Sequence, residues 1–507
     1  MGKRPQKFVD WQYFAVNPNR RRQIMLRTMM TDAQLWATVQ QHLDHWNDDW
    51  GDRTAWSKET AWTLAATLDA QAQVAQSRYT VDRGRPAEDP FQLLRALGLI
   101  TVRQIPSLVD GVAMIRQSVW LCHLCGWTGP TEVPAVSTFY AFLRRLYPEA
   151  RPRLGALRRS SGRRLKLKRG QKMPPRRPGA IGRVAQRVQR EAQRGRRSAP
   201  GDLWDRFLAD TSRDSVDRGV LPSVWDLAAD GSPIESGASS FGEKRCACTK
   251  RGCGCLRYFS DPMALVGWDS HRNRYYLGYD PSAMVVVNAI PGQPSHPLIV
   301  SLALHPANRH DGVALPDLLV KTQALYPTPA ITMHHLIGDA AYDVQALWDF
   351  VRQRGLIPAF APMQPVESPH VSDDAIAAGI TLSDTNQPIC RDARPMPRIG
   401  QPRQGVMVYG CPLRKKSAPP CPNPCDKAKK TVTVNSRGSR YADSGVPYGT
   451  PEWTTLYNER TGVERSFSLW TAHGIKAAHH RRPYLWYARL ALAAMVSHHE
   501  AWIRTAA

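Results

Sequence analysis

The 507-residue chain contains no apolar run long enough to cross a bilayer; Leu490–Val496 falls far short of the roughly 20 residues a spanning helix needs. Its first 22 residues are polar, end in Arg20-Arg21-Arg22 and lack the apolar stretch of a secretory signal. These absences argue against a membrane protein or an exported one and predict a soluble, cytoplasmic chain. Acidic residues are also in deficit. Against 68 Lys and Arg stand 43 Asp and Glu, a formal charge of +25, and such a balance speaks of partners rather than fold. The deficit is local: residues 151–200 hold 18 Lys and Arg and the single acid Glu191. A run this one-signed is either a solvated linker or a contact for nucleic acid, and its length favours nucleic acid. The histidine pairs His334-His335 and His479-His480 show neither metal-ligand spacing nor the spacing of a triad with a nucleophile.

Cysteine is not scarce, but it is clustered, which in a reducing compartment points to metal before disulfides. Cys246-x-Cys248-x4-Cys253-x-Cys255 sets four thiols among Lys and Arg; Cys411, Cys421 and Cys425, with Cys390 upstream, form a second set. Four thiolates can hold a tetrahedral structural zinc. The C-x-C spacing is less usual than C-x2-C, the two sets can also combine in space, and reduced, unligated thiols are the plain alternative. Cys122-x2-Cys125 sits in an apolar helical stretch and reads as small buried core.

The hydrophobic fraction, 42%, is ordinary for a globular protein, and the length suggests about three domains. Residues 1–150 read as an all-helical region: Trp36, Val39, Leu43 and Trp46 recur at helical spacing, as do Leu93, Leu97 and Ile100, and Ser137 is placed to cap a helix over Phe139–Leu146. Residues 151–202 form a basic arm whose second half can be helical, with Arg183, Arg187, Arg190 and Arg194 on one face that suits a phosphate backbone. From Val224 the texture turns to short β-rich runs: Val224–Asp230, Ala264–Trp268, Tyr275–Tyr279, Met284–Ile290 and Leu298–Leu304. A helix over Ala314–Leu325, a strand in Ile331–Asp339, a helix over Val344–Arg354 and a strand at Leu356–Phe360 follow. That order predicts an α/β core with a mixed sheet over 203–360. Residues 361–452 are Pro-rich and weakly periodic, as an inserted subdomain would be, and 453–507 are helical again.

Asp230 closes an apolar run and precedes Gly231-Ser232; Asp339 does the same after Leu336-Ile337-Gly338 and runs into Ala340-Ala341-Tyr342-Asp343. Glu464 lies in a helical stretch in which Tyr457, Arg460 and Glu464 share a face, so Arg460 can orient the carboxylate or meet a phosphate. Two carboxylates at strand ends and one on a helix can converge on a pair of divalent cations, the arrangement that serves phosphodiester cleavage and transfer. Each acid alone is more often a cap, a turn residue or part of an ion-paired surface. Asp226 and Asp343 are read as supporting or structural, and Asp311, after His310, as a helix cap.

Ala229-Asp230-Gly231-Ser232, Gly338-Asp339-Ala340-Ala341-Tyr342-Asp343 and Tyr457-x2-Arg460-x3-Glu464 together resemble the DDE-type transposases of bacterial insertion sequences, whose catalytic core is ribonuclease-H-like. The likeness runs through Phe91–Tyr147 and Leu203–Val496. It implies a ribonuclease-H-like mixed sheet flanked by helices, with an N-terminal helical region for DNA binding or dimerisation and an insertion before the last catalytic helix. It also implies that Asp230, Asp339 and Glu464 bind two Mg²⁺ or Mn²⁺ ions for in-line attack by water and then by the freed 3′-hydroxyl. The implied partners are double-stranded DNA, as terminal repeats and target, and a second copy of the chain; the implied location is the cytoplasm, on the nucleoid when DNA is bound. Many relatives carry a Lys seven residues after the glutamate; Thr471 stands there, so either Lys476, twelve residues after Glu464, substitutes for it or that DNA contact is absent. The rival readings are a catalytically inactive, domesticated sequence-specific DNA-binding protein, a nuclease of the same fold that only hydrolyses DNA, and a zinc-based nucleic-acid adaptor.

Overall fold

The computed structural model describes residues 29–50, 58–77, 87–147, 179–194, 203–249, 253, 255, 257–327, 329–363, 370–383, 387–399, 406–413, 418–424, 431–435, 439–442, 445–478 and 480–506. The proline-rich first half of the basic arm therefore lies outside the described residues. Among the described residues seven α-helices come first: α1 (Asp32–Trp50), α2 (Lys58–Ala65), α3 (Asp69–Gln76), α4 (Pro90–Val102), α5 (Leu108–Gln117), α6 (Val119–Cys125) and α7 (Val136–Leu146). Helix α4 starts sharply because Asp89 accepts from the Phe91 amide and Pro90 occupies the first turn, where a missing N–H costs nothing. Nearly all of α4 is buried, as an apolar sequence with no polar face requires. Among the described side chains of α1, Leu35 and Val39 are buried, while Trp36 is exposed; Leu43 and Trp46 lie outside them. Helix α7 begins two residues earlier than the Ser137 cap predicts: Ala135 holds the cap position with no side-chain bond, and Ser137 lies within the first turn. Cys122 and Cys125 are buried in the helical core, as the apolar context predicts.

Helices α8 (Ala180–Gln193) and α9 (Leu203–Asp217) lead into the sheet. Its strands are β1 (Val224–Gly231), β2 (Ile234–Glu235), β5 (Leu265–Asp269), β6 (Arg274–Val286), β7 (Leu298–Pro306), β8 (Thr332–Gly338) and β9 (Ile357–Phe360), with the hairpin β3 (Glu243–Lys244) and β4 (Arg257–Tyr258) hanging between β2 and β5. Strand β1 pairs antiparallel with β6 and parallel with β8; β6 pairs antiparallel with β7, and β8 parallel with β9. The two expected strands Tyr275–Tyr279 and Met284–Ile290 are one strand, β6. Asp280-Pro281 reads as a break because proline cannot donate to a ladder. Pro281, however, falls between the β1 register, which ends at Ser282, and the β2 register, which begins at Tyr279, so no ladder bond is lost on that side.

Both faces of the sheet are covered, and the pleat sorts the side chains between them. On one face Ala228, Val285, Val287 and Ile337 share a core with α9, α15 (Thr461–Ala472), α16 (Pro483–Ala506) and the N-terminal helices. On the other, Leu227, Ala229, Met284, Val286 and Leu336 pack with α8, α10 (Asp311–Leu325) and α11 (Gln345–Gln353). Helix α16 joins the halves: every residue from Trp486 to His499 is buried, and the Trp62 indole of α2 donates to His499 at 3.0 Å. The Lys321 ammonium meets Asp205 and the Tyr487 hydroxyl, each at 2.9 Å, where α9, α10 and α16 converge. Removing one partner of so buried a group costs about 3–5 kcal/mol.

Between β9 and α14 (Pro451–Asn458) lie β10 (His370–Val371), α12 (Asp373–Ala377), β11 (Thr381–Leu382), β12 (Pro388–Ile389), β13 (Val406–Gly410), β14 (Thr431–Asn435) and α13 (Ser439–Ala442). Val371, Ala375, Tyr409, Val432 and Val434 give this part a small core of its own. Among the described residues, no helix is long and apolar enough to cross a membrane.

Candidate active site

The pleat that buries Ala228 and Ile337 also aims the acids. Asp230 lies two residues beyond Ala228, and Asp339 two beyond Ile337, so both inherit the face covered by α15, the helix that carries Glu464. Strands β1 and β8 are parallel neighbours with Ala228 opposite Ile337. Continuing that register by two residues sets Asp230 opposite Asp339 at the carboxyl ends of the strands.

Local bonds hold both side chains. Asp230 accepts from the Gly231 amide at 2.8 Å; Asp339 accepts from the Ala341 amide at 2.9 Å and opens the single helical turn Ala340–Tyr342. The third acid is reached through Arg460, whose guanidinium lies 2.7 Å from Glu464 and 3.8 Å from Asp230. Tyr457, Arg460 and Glu464 are not on one helix: the chain breaks at Glu459-Arg460 between α14 and α15, and Arg460 precedes the first turn of α15. Glu464 is 56% exposed, and among the described residues the three acids do not form a group with all ligand atoms within 4.8 Å of one another. Arg460 stands between them.

Burial is the main force on the Asp230 carboxyl, pushing it up to about 7; the Gly231 amide opposes, Asp339 and Asp311 add to the rise, and Arg460 opposes. Asp280 and Asp311 belong to the same acidic patch, a feature the sequence reading missed. They approach from the opposite face of the sheet, where Gly231 has no side chain. A Cβ on Gly231 would lie 2.6 Å from an Asp311 oxygen and 2.9 Å from an Asp280 oxygen. Burial, then Asp311 and Asp230, push Asp280 up to about 8. Burial also raises Asp311, eased by His310 and reinforced by Asp339. The sequence signals were Asp280 next to Pro281, masked as a strand break, and Asp311, read as a cap. The cap of α10 is His310, whose ring accepts from the Gly312 amide, and Asp311 is the first helical residue.

The neighbouring acids are engaged elsewhere. Asp343 is buried and meets the Trp348 indole at 3.1 Å, the Tyr441 hydroxyl at 2.6 Å, the Met363 amide at 2.8 Å and Arg440 at 2.8 Å, tying α13 to the core. Asp226 shares the face of Asp230 but sits at the other end of β1, where it bonds the His335 ring at 2.7 Å. A register shift there places both His334 and His335 beside Asp226, three potential ligands within 4.8 Å of one another; the sequence spacing of the two histidines gives no hint of this. Lys476 lies by Arg272 and Asp269 near the β5–β6 turn; burial lowers it, Arg272 lowers it further and Asp269 opposes. On α8, Ala185 and Val188 face the core, while Arg183 and Arg190 are exposed and Arg187 lies 4.0 Å from Asp317.

The four thiols of Cys246, Cys248, Cys253 and Cys255 also gather within 4.8 Å of one another. Cys390, Cys411 and Cys421 form no such group among the described residues, and Cys425 lies outside them.

Residues 265–497 match the family described as the transposase DDE domain. The matched stretch runs from β5 into α16, so it contains Asp339 and Glu464 and begins after Asp230. The mixed α/β architecture, with a central mixed sheet and flanking helices, fits the ribonuclease-H-like core of that domain. A comparison with curated proteins found no match to the chain.

Proposed function

We propose that the chain is a DDE-type transposase that cuts DNA at the ends of an insertion sequence and joins them to a target, with Asp230, Asp339 and Glu464 as its catalytic acids; the match of residues 265–497 to the transposase DDE domain supports this reading. The observation that carries this reading is the shared face: two acids at neighbouring parallel strand ends, turned toward the helix that bears the third. Their oxygens suit hard divalent cations, Mg²⁺ or Mn²⁺. The fit is also electrostatic, because buried carboxylates that raise one another's proton affinity form a site short of positive charge. Asp230, Asp339 and Glu464 would hold the ions, which supply Lewis acidity toward a phosphodiester and lower the pKa of an attacking hydroxyl.

The chain's own groups do the positioning. The Gly231 and Ala341 amides fix the Asp230 and Asp339 carboxylates, so these two ligands are arranged before any ion arrives. Arg460, paired with Glu464 and Asp230, is placed to turn its guanidinium to a DNA phosphate once those carboxylates are otherwise engaged. The arginine face of α8 (Arg183, Arg187, Arg190, Arg194) and Lys476 are the proposed contacts to the duplex, and a pair of chains would hold two DNA ends together.

The test uses the purified protein, its flanking DNA ends and Mg²⁺. Asp230→Asn, Asp339→Asn and Glu464→Gln should each lower strand cleavage by on the order of 10³-fold or more while DNA binding is retained. A fully active variant removes that residue from the site. Joining of a pre-cut 3′-end distinguishes a transposase from a nuclease, and binding without cleavage by the unaltered chain identifies an inactive relative.

A further inference from the structure

The β3–β4 hairpin presents a folding problem that the catalytic reading leaves unsolved. Between Ile234 and Ala264 the described residues contribute no side chain to any of the hydrophobic cores. Both residues of β3 are exposed, and Phe241 is 77% exposed. Two-residue strands without an apolar face do not hold themselves together in water. Segments this small are ordinarily stapled by a disulfide or a metal ion.

The thiols are placed for the second solution. Cys246 and Cys248 form one pair two residues apart, and Cys253 and Cys255 another. The hairpin, with Glu243 opposite Tyr258 and Lys244 opposite Arg257, closes just outside the two pairs and turns them toward each other. The Cys246 and Cys253 sulfurs are 3.5 Å apart, and those of Cys248 and Cys255 are 3.4 Å apart. These separations exceed a disulfide bond of about 2.05 Å. They approach the edge of about 3.8 Å that four sulfurs make around a tetrahedral ion with bonds of about 2.3 Å.

We propose that Cys246, Cys248, Cys253 and Cys255 bind one structural zinc ion as four thiolates, and that this ion, in place of an apolar core, folds the knuckle over residues 239–259. Soft sulfur ligands in a closed tetrahedral set select zinc over the hard cations suited to the carboxylates. Four thiolates around a divalent ion leave net negative charge, and the surroundings offset it. The Lys244 ammonium donates to the Cys248 carbonyl, Arg257 donates to the Phe241 carbonyl at 3.2 Å, and Arg245 lies over the Tyr258 ring. The root of the knuckle does not depend on the ion. Ser236 and Tyr279 donate to Asp261 at 2.8 and 2.6 Å, and the Gly237 amide donates to the His480 carbonyl at 3.0 Å.

The inference stands apart from the catalytic reading, and its test needs no DNA. The full-length protein, purified under reducing conditions, should hold one zinc per chain beyond any ion removed by a magnesium wash. A mercurial thiol reagent should release that zinc. Reconstitution with Co²⁺ should give the sulfur-to-cobalt charge-transfer absorption and the intense visible bands of a tetrahedral thiolate site. Cys248→Ser with Cys253→Ser should lose the ion and open the 239–259 segment to protease while the melting of the core is unchanged; Cys390→Ser should keep the ion. Four freely titrating thiols in zinc-free protein whose knuckle resists protease, zinc retained by the double serine variant, or iron in place of zinc would each overturn the proposal.

Discussion

The carboxyl end of the sheet and the β3–β4 knuckle both gather acidic side chains, and they do so by opposite means. At the sheet, Leu227, Ala228 and Ala229 on one strand and Leu336 and Ile337 on the next are buried between two layers of helices. The positions of Asp230 and Asp339 follow from that packing, so this site is built before a cation binds. Among the described residues of the knuckle no buried apolar side chain sets the positions of the thiols, and the ion would have to do so. A core-built site tolerates loss of its cation and keeps its shape; a cation-built site does not.

The comparison breaks most readily in the core. Ile337 is fully buried and lies two residues from Asp339. Ile337→Ala should cost about 2–5 kcal/mol in denaturant or thermal unfolding, yet leave the zinc content at its wild-type level. Loss of zinc along with stability would mean that the knuckle draws its order from the core after all.

A smaller effect separates the two sites by pH. In cation-free protein Asp230 is raised to about 7 and Asp280 to about 8, chiefly by burial, whereas unfolded Asp titrates near 3.9. Between these values the folded chain binds more protons than the unfolded chain, so its stability falls as pH rises from about 4 to about 8 and levels off beyond. Mg²⁺ should lessen that fall by meeting the charge that the protons met, and Asp280→Asn should shallow it. The knuckle should run the other way: acid protonates thiolates, so its zinc is released as pH drops. Melting curves across this range, with and without Mg²⁺ and alongside zinc release, decide the matter. A cation-free melting temperature that does not decline with pH would show that the acids are not the strained group the geometry makes them.

Much of this was legible in the sequence where the signal is local. An apolar run that ends in Asp and a turn marks a strand end, and so Asp230 and Asp339 stand out. The helix bearing Glu464 and the four clustered thiols were visible for the same reason. What was hidden depends on partners distant in sequence. Asp280 and Asp311 meet at Gly231 because an antiparallel neighbour and a helix start happen to converge on a residue without a side chain. Asp280-Pro281 looked like a break because the sequence does not show where a neighbouring strand stops. His334 and His335 acquire a common partner in Asp226 only through a shift of register between two strands. The N-terminal helices were readable one by one, but their union with α16 rests on contacts such as Trp62 with His499.

The least disruptive change probes the knuckle from the outside. Phe241 is the most exposed large apolar side chain among the described residues and precedes Gly242, whose φ of +65° suits glycine and where an added Cβ would press on Phe259 and the Tyr258 carbonyl. The structural bond at Phe241 uses its carbonyl, which accepts from Arg257, and not its ring. Phe241→Ala keeps that bond and deletes only exposed surface, so it should change stability by no more than about 0.5 kcal/mol and leave zinc content unaltered. A loss as large as that of Ile337→Ala would reveal a packing role for the ring and return the knuckle to the class of structures held by apolar burial. A negligible loss, in a segment that also opens when its thiols are replaced, leaves the ion as the element that holds it.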